Sequence, residues 1–246
     1  MTKMNVRPST PDPIIVTGAP GSSEWLAWVA LGALGVWGTR AAKGGKVDLF
    51  WSNSTILHEL VKPFFLGMGF HHMGAGTETS LVGRCQSMDE KIARAWRRKC
   101  LSIIWDQGYS GGPWLYAGPE ALLAWPIIRQ AFPDARWVVV RKDKGVLLKR
   151  LREQASFLQK DTRMGDPLKW VRLYESRIDQ VKRVEKVQEF WPNRVFSKGD
   201  MVHIRDMAKF LSLPWDQDKV ADAMIQPLWH AGQFDVHESI REEARR

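Results

Sequence analysis

The residues with the clearest capacity for chemistry lie near the start of the chain. Ile14, Ile15, Val16 and Thr17 are β-formers, Gly18, Ala19, Pro20 and Gly21 make a tight turn, and Ser22, Ser23, Glu24 and Trp25 open a helix. A strand, a Gly/Pro turn and a helix start in this order aim backbone N–H groups at an anion. The turn holds no Lys, Arg or Thr, and Glu24 stands where a phosphate would be favoured. A helix N-terminus favours an anion by about 0.3–1 kcal/mol. A carboxylate ~4 Å from a phosphate opposes it by ~4 kcal/mol at an effective dielectric near 20. On these magnitudes an ionised Glu24 facing the loop outweighs the dipole. The alternative places Glu24 in the first helical turn, with Ser22 or Ser23 as the N-cap.

Other groups offer weaker constellations. His58-Glu59 on a helix and His71-His72 in a glycine-rich loop could supply a base or ligands, but neither has HExxH spacing. No metal site is expected. His58 is the candidate base, and His230 near the end is a weaker site candidate. Arg141, Lys142, Lys144, Lys149, Arg150 and Arg152 form a dense basic run. It suits a nucleotide phosphate or a nucleic-acid backbone, and equally a solvated helix face. Arg94, Arg97, Arg98 and Lys99 flank Trp96, which reads as the buried side of its helix.

The elements that must position these groups alternate between strand and helix. Strands are expected at Ile14–Thr17, Trp114–Tyr116 and Ala135–Val140, with a short one at Arg194–Phe196. Helices are expected from Ser23 to Trp37, after Asn53, over Asp89–Asp106, from Pro119 to Ala131, from Lys142 to about Lys160, and from Pro167 to about Phe190. Two small helices, Gly199–Leu211 and Trp215–Ile225, follow. This alternation predicts an α/β fold of three layers, αβα, with a mainly parallel sheet. Residues 1–12 read as a flexible arm, 13–231 as one domain and 232–246 as a polar tail.

The chain has 246 residues, 26% charged and 44% hydrophobic, which suits a globular protein with a sizeable core. Its net charge is +9, which favours acidic partners, nucleic acid among them. Thirteen tryptophans suit a core with some left for a protein-docking surface. Cys85 and Cys100 lack metal-ligand spacing and imply no disulfide framework, as in a reducing, cytoplasmic compartment. No basic-then-apolar signal run opens the chain, and the apolar run Trp25–Trp37 is too short for a bilayer span, so no membrane association is expected.

Three patches carry a family resemblance. VTGAPGSSEWLAWVALGALGVWG, from Val16, resembles the opening of the sulfotransferases, whose loop reads VTGxPRSGTS. PWLYAGPEALLAWPIIRQAFPDARWVVVRKDKGVLLKRL, from Pro113, is similar to that family's middle segment. FLSLPWDQDKVADAMIQPLWH, from Phe210, is similar to the closing region of phage and bacterial members. The resemblance implies a P-loop-like fold, the cofactor 3′-phosphoadenylyl sulfate (PAPS) or its product 3′,5′-ADP, and sulfuryl transfer to a hydroxyl or amine. It also implies a phage origin, and with it the host cytoplasm or the virion as location. Site roles carry over by position. The turn residues Gly18 and Pro20 and the loop serine Ser22 are kept, as is Arg141 for the 3′-phosphate. Its partner serine falls on Lys149. The loop cation falls on Gly21 and the loop threonine on Glu24. The Lys-Asp-Pro-Arg motif falls on Ala117, Gly118, Pro119 and Glu120. The acidic residue of some members falls on Ser52. Residues that turn and pack the chain are retained, while most that handle the sulfuryl group are replaced. The expectation is a sulfotransferase-like protein serving as a binding or structural component of some protein partner. The alternatives are a divergent PAPS-dependent enzyme with His58 as base, and a nucleic-acid binder.

Overall fold

The structure is a computed structural model that describes residues 10–38, 54–69, 80–153, 166–198 and 201–230. Its centre is a sheet of four parallel strands in the order β2-β1-β3-β4. These are β1 (Ile14–Gly18), β2 (Leu115–Ala117), β3 (Arg136–Val140) and β4 (Val187–Phe190). β1 and β3 are the central pair, in register from Ile14↔Arg136 to Gly18↔Val140. Both are near-continuous apolar runs, because each is covered on both faces.

Strand residues point alternately to the two faces, and each face has its own core. Ile15, Tyr116, Trp137 and Val139 point to one. There they meet α2 (Ser54–Ile56), α3 (Lys62–Gly67), α5 (Glu90–Asp106), α6 (Trp125–Ala131), α7 (Lys144–Glu153) and α8 (Pro167–Val184), with Cys85 of α4 (Ser80–Gln86). Ile14, Val16, Leu115, Val138, Val140 and Phe190 point to the other. That face is covered by α1 (Trp25–Ala33), α9 (Pro192–Lys198), α10 (Val202–Phe210) and α11 (Gln217–His230). The expected three-layer α/β architecture with a parallel sheet is therefore present.

Local chemistry sets the element ends. Asp89 accepts from the backbone N–H of Lys91 and Ile92 and starts α5, which buries Ala93, Trp96, Cys100, Ile103 and Ile104 on one stripe. A π-helical turn, Leu57–Val61, joins α2 to α3. It sits directly ahead of Pro63, which has no N–H to give to the carbonyl four residues back. The helix expected from Pro119 to Ala131 is broken for the same reason. Pro119–Leu122 is a 3₁₀ turn, and α6 restarts at Trp125 with Pro126 in its first turn.

Two expectations fail around β4. The helix expected to reach Phe190 stops at Val184, where Glu185 turns extended at φ −122 and ψ 153, and Val187–Phe190 pairs with β3. The strand expected at Arg194–Phe196 is helical, within α9, opened by Pro192. Helix α4 was also not anticipated. The arm up to residue 9, Ser52, the His71-His72 pair and the tail from Gly232 lie outside the described residues. Among the described residues no helix is long and apolar enough to cross a membrane.

Candidate functional site

The carboxyl ends of β1, β2 and β3 meet at the loop Ala19–Glu24, the position where open parallel sheets bind ligands. The loop is built by close approach. A Cβ on Gly18 would collide with Ser22 Oγ and lie 2.6 Å from the Val140 carbonyl. Gly21 takes φ +84, and the Ser22 N–H closes the turn on the Ala19 carbonyl at 2.9 Å. Pro20 is buried within it. Thr17 Oγ1 ties the loop's base to β2 by donating to the Gly118 carbonyl at 2.8 Å.

Neither serine caps α1. Glu24 itself occupies the N-cap position without a side-chain cap bond, and Ser23 is held at φ +72. A left-handed conformation in a non-glycine residue is a strained one, of the kind that clusters at sites. Ser22 is 1% exposed, and its Oγ is buried without a hydrogen bond. The Gly21 and Ser23 N–H groups have no hydrogen-bond partner among the described residues. These are the parts of an anion cradle.

Its cation comes from elsewhere in the chain. Lys142 lies two residues beyond β3 and is 8% exposed. Its Nζ donates to Ser23 Oγ at 3.1 Å and to the Gly21 carbonyl at 3.3 Å. Burial pushes the Lys142 ammonium down to about 8, with Arg150 adding repulsion and Glu24 opposing the shift. Sequence reasoning counted Lys142 within a basic run and assigned it no role. The signal was available in Arg141-Lys142. Successive residues leaving a strand project to opposite sides, so if one turns from the loop the next turns towards it.

Arg141 does turn away. Its Nη2 donates to Glu175 Oε2 of α8 at 3.0 Å, its Nε lies 3.9 Å from Glu189 of β4, and the guanidinium stacks 5.8 Å from the Trp191 ring centre. Its Nη1 is buried without a hydrogen bond. Lys149 stands on the exposed side of α7, away from the buried Leu147 and Leu151, with no ion pair among the described residues. The structure thus gathers Gly18, Pro20 and Ser22 at the loop and does not bring Arg141 and Lys149 together on it. His58 is exposed in the π-helical turn, with Nδ1 3.5 Å from Lys62 Nζ. His230 ends α11.

Two carboxyl groups complete the site, Glu120 buried and Glu24 half-buried. Glu24 faces inward, and its Oε1 is sealed without a hydrogen bond. Burial pushes its carboxyl up to about 7, helped by repulsion from Glu120. Its own N–H and the Lys142 charge hold the shift back. Glu120 follows β2 and is 3% exposed. It accepts from the Tyr116 hydroxyl at 2.7 Å. Burial raises its pKa too, against the pull of the Tyr116 bond and the Lys62 charge. Gly118 gives that carboxylate room, since a Cβ there would overlap Glu120 Oε1. Tyr174 of α8 lies in the same field, and burial, with Glu120 and Glu24 adding to it, pushes its phenol well above its usual range.

Other candidates are structural. Cys85 and Cys100 are buried, and burial raises their thiols to about 11 and about 12, out of the range of a reactive thiolate. A cavity of about 400 Å³ between α7 and α8 is lined by Lys144, Arg172 and Arg183 with Glu175 and Asp179. Its charges offset one another, and its lining excludes the loop. Among the described residues no three His, Cys, Asp or Glu side chains gather to hold a metal ion.

No protein-family model and no curated relative matches the sequence. Solved structures do match the fold. The sulfotransferase STF9 from Mycobacterium avium superposes with a TM-score of 0.57 at 14% identity, over 90% of this chain and 69% of that one. The sulfotransferase STF1 from Mycobacterium tuberculosis H37Rv gives 0.48 at 14% identity, over 96% and 77%. The chain therefore has a sulfotransferase-like fold, with its P-loop-like turn at the carboxyl edge of the sheet.

Proposed function

We propose that this chain is a sulfotransferase-fold protein that no longer transfers sulfuryl groups and serves as a binding or structural component. One observation carries the reading: Glu24 Oε1 is buried without a hydrogen bond at the end of the loop that would cradle the phosphosulfate of PAPS. The Ser22 hydroxyl, the loop N–H groups and Lys142 fit an anion, but an ionised Glu24 beside them does not. The group does not fit the loop as it stands, and no chemical step is assigned through it. The placement of Arg141 on Glu175, and of Lys149 on an outer helix face, supports the same conclusion.

Calorimetry with PAPS and with 3′,5′-ADP at about pH 8, where a Glu24 carboxyl titrating near 7 is mostly ionised, tests the reading. No heat of binding is expected for either nucleotide, and low-micromolar binding of either overturns it. The basic face of α7, with Lys149, Arg150 and Arg152 exposed, favours a second reading as a nucleic-acid binder. Retention on DNA that falls steeply with salt supports that reading, and no retention at low salt ends it.

A further inference from the structure

We propose that the cavity between α7 and α8 is a binding site for a short zwitterionic peptide, its amino terminus on Asp179, its carboxyl terminus on Arg172 and an apolar side chain at its carboxyl end. The site lies apart from the loop, so it goes beyond the reading of the loop and does not depend on it. The cavity holds about 400 Å³, within the roughly 300–1,000 Å³ of small-ligand sites. Its lining charges balance in sum but are not spent on one another. Glu175 is held by Arg141 at 3.0 Å, with Lys144 Nζ at 3.8 Å. Arg172, Asp179 and Arg183 also line the cavity, and their side chains have no ion pair or hydrogen bond among the described residues. Asp179 and Arg183 stand at i and i+4 with the acid first, the order in which a helical ion pair forms best, and remain unpaired.

The arrangement favours a ligand that carries both signs. A purely anionic ligand meets Asp179 and Glu175, and a purely cationic one meets Lys144, Arg172 and Arg183. A zwitterion answers both sets. Arg172 and Asp179 are seven residues apart on one stripe of α8, about 10 Å along the axis at ~1.5 Å per residue. An extended tripeptide covers the same distance, about 10 Å at ~3.3 Å per residue. Between the two, the exposed Ser176 hydroxyl has no partner among the described residues and can meet the peptide backbone. Polarity sets the direction of the chain. Leu168 and Val171 stand beside Arg172 on α8, and Leu148 of α7 lines the same cavity. An apolar side chain therefore belongs next to the terminus that Arg172 holds. Each exposed charge pair contributes little alone, so the apolar contact and the two termini must act together.

The probe is the tripeptide Ala-Ala-Leu, titrated into the full chain by calorimetry at neutral pH and low salt. Its N-acetylated form, its C-amidated form and Ala-Ala-Asp are the comparisons. Each cap should weaken binding about threefold to tenfold, the scale of one exposed charge-assisted contact. Ala-Ala-Asp should also bind more weakly than Ala-Ala-Leu. Asp179→Asn should lower the affinity for the free peptide to that of the acetylated one, and leave the acetylated one unmoved. Arg172→Gln should do the same with respect to the amidated peptide. Both replaced side chains are exposed and unpaired among the described residues, so the urea midpoints should not move. No binding at millimolar Ala-Ala-Leu overturns the proposal. So do capped peptides that bind as well as the free one, or a variant that weakens free and capped peptides alike. The comparison of free and capped peptides on the native chain decides even where a variant folds poorly. Titration with PAPS reports on the loop alone, so failure of the peptide site and failure of the proposed function are read separately.

Discussion

Replacing Glu24 with Gln removes one titration from the interior while leaving shape and volume almost unchanged. In the folded chain the carboxyl keeps its proton up to about 7, against 4.5 in an open chain. A folded pKa raised above the unfolded one means the native state binds more protons between those values. Stability from this group is therefore complete below about 4.5 and is lost as pH rises through 7. At about 1.4 kcal/mol per pKa unit, the loss between about pH 5 and about pH 8 is roughly 2.5 kcal/mol. The Gln variant escapes it. Its stability advantage over the native chain should therefore be about 2–3 kcal/mol larger at pH 8 than at pH 5. Fixed differences in hydrogen bonding between Gln and Glu cancel, because only the change with pH is read. Urea unfolding followed by tryptophan fluorescence at four pH values measures it. In a thermal scan the same widening is roughly 5–10 °C for a domain of this size. An advantage that stays flat with pH refutes the burial of the Glu24 carboxyl group. Lys142 sets the upper limit of the experiment. Its depressed pKa, about 8 against 10.5, restores stability as pH climbs beyond 8, so readings above that point mix two groups.

The loop geometry and its supports give further expectations. Gly18→Ala forces a methyl group onto Ser22 Oγ and the Val140 carbonyl and should cost about 1–3 kcal/mol in urea unfolding; a neutral effect contradicts the close approach. Tyr116→Phe removes the hydroxyl that donates to Glu120 and should cost about 1–2 kcal/mol in urea unfolding; a neutral effect contradicts the buried hydrogen bond. Glu175→Ala strands the Arg141 guanidinium and should cost about 1–3 kcal/mol, discounted for the partial exposure of both side chains; Arg141→Met added to it should restore part of that stability. Both cysteines should resist modification by a thiol reagent in the native chain and react fully in urea; fast native labelling contradicts their burial.

What could be read from the sequence, and what could not, divides by the range of the interactions involved. β1 and β3 were legible because a strand covered on both faces must be apolar at every position, as Ile14-Ile15-Val16 and Trp137-Val138-Val139-Val140 are. β4 was not, because an edge strand needs only one good neighbour. Gln188 and Glu189 sit half-buried in it, and Val184 and Val187 kept the helical spacing running past the true end of α8. The turn at Gly18–Gly21 was legible because close approach leaves glycine as the only residue that fits. The helix start was misassigned between serine and glutamate because a cap is decided by the path of the backbone, and Ser23 takes a conformation that its residue type does not suggest.

Lys142 marks the limit of that reading most clearly. Its role depends on β3 lying beside β1, and on Gly18 standing in register with Val140, so that the second residue past β3 overhangs the loop past β1. Sheet order is a long-range fact that no local spacing encodes. Once it is known, Gly21, Glu24 and Lys142 read as one arrangement. The loop has no cation at Gly21, carries a carboxyl group at Glu24, and is met by the Lys142 ammonium from the neighbouring strand end. Any one of these alone would leave a buried charge uncompensated, which is costly. Together they leave a loop that keeps the backbone of an anion cradle and carries its counter-charge internally.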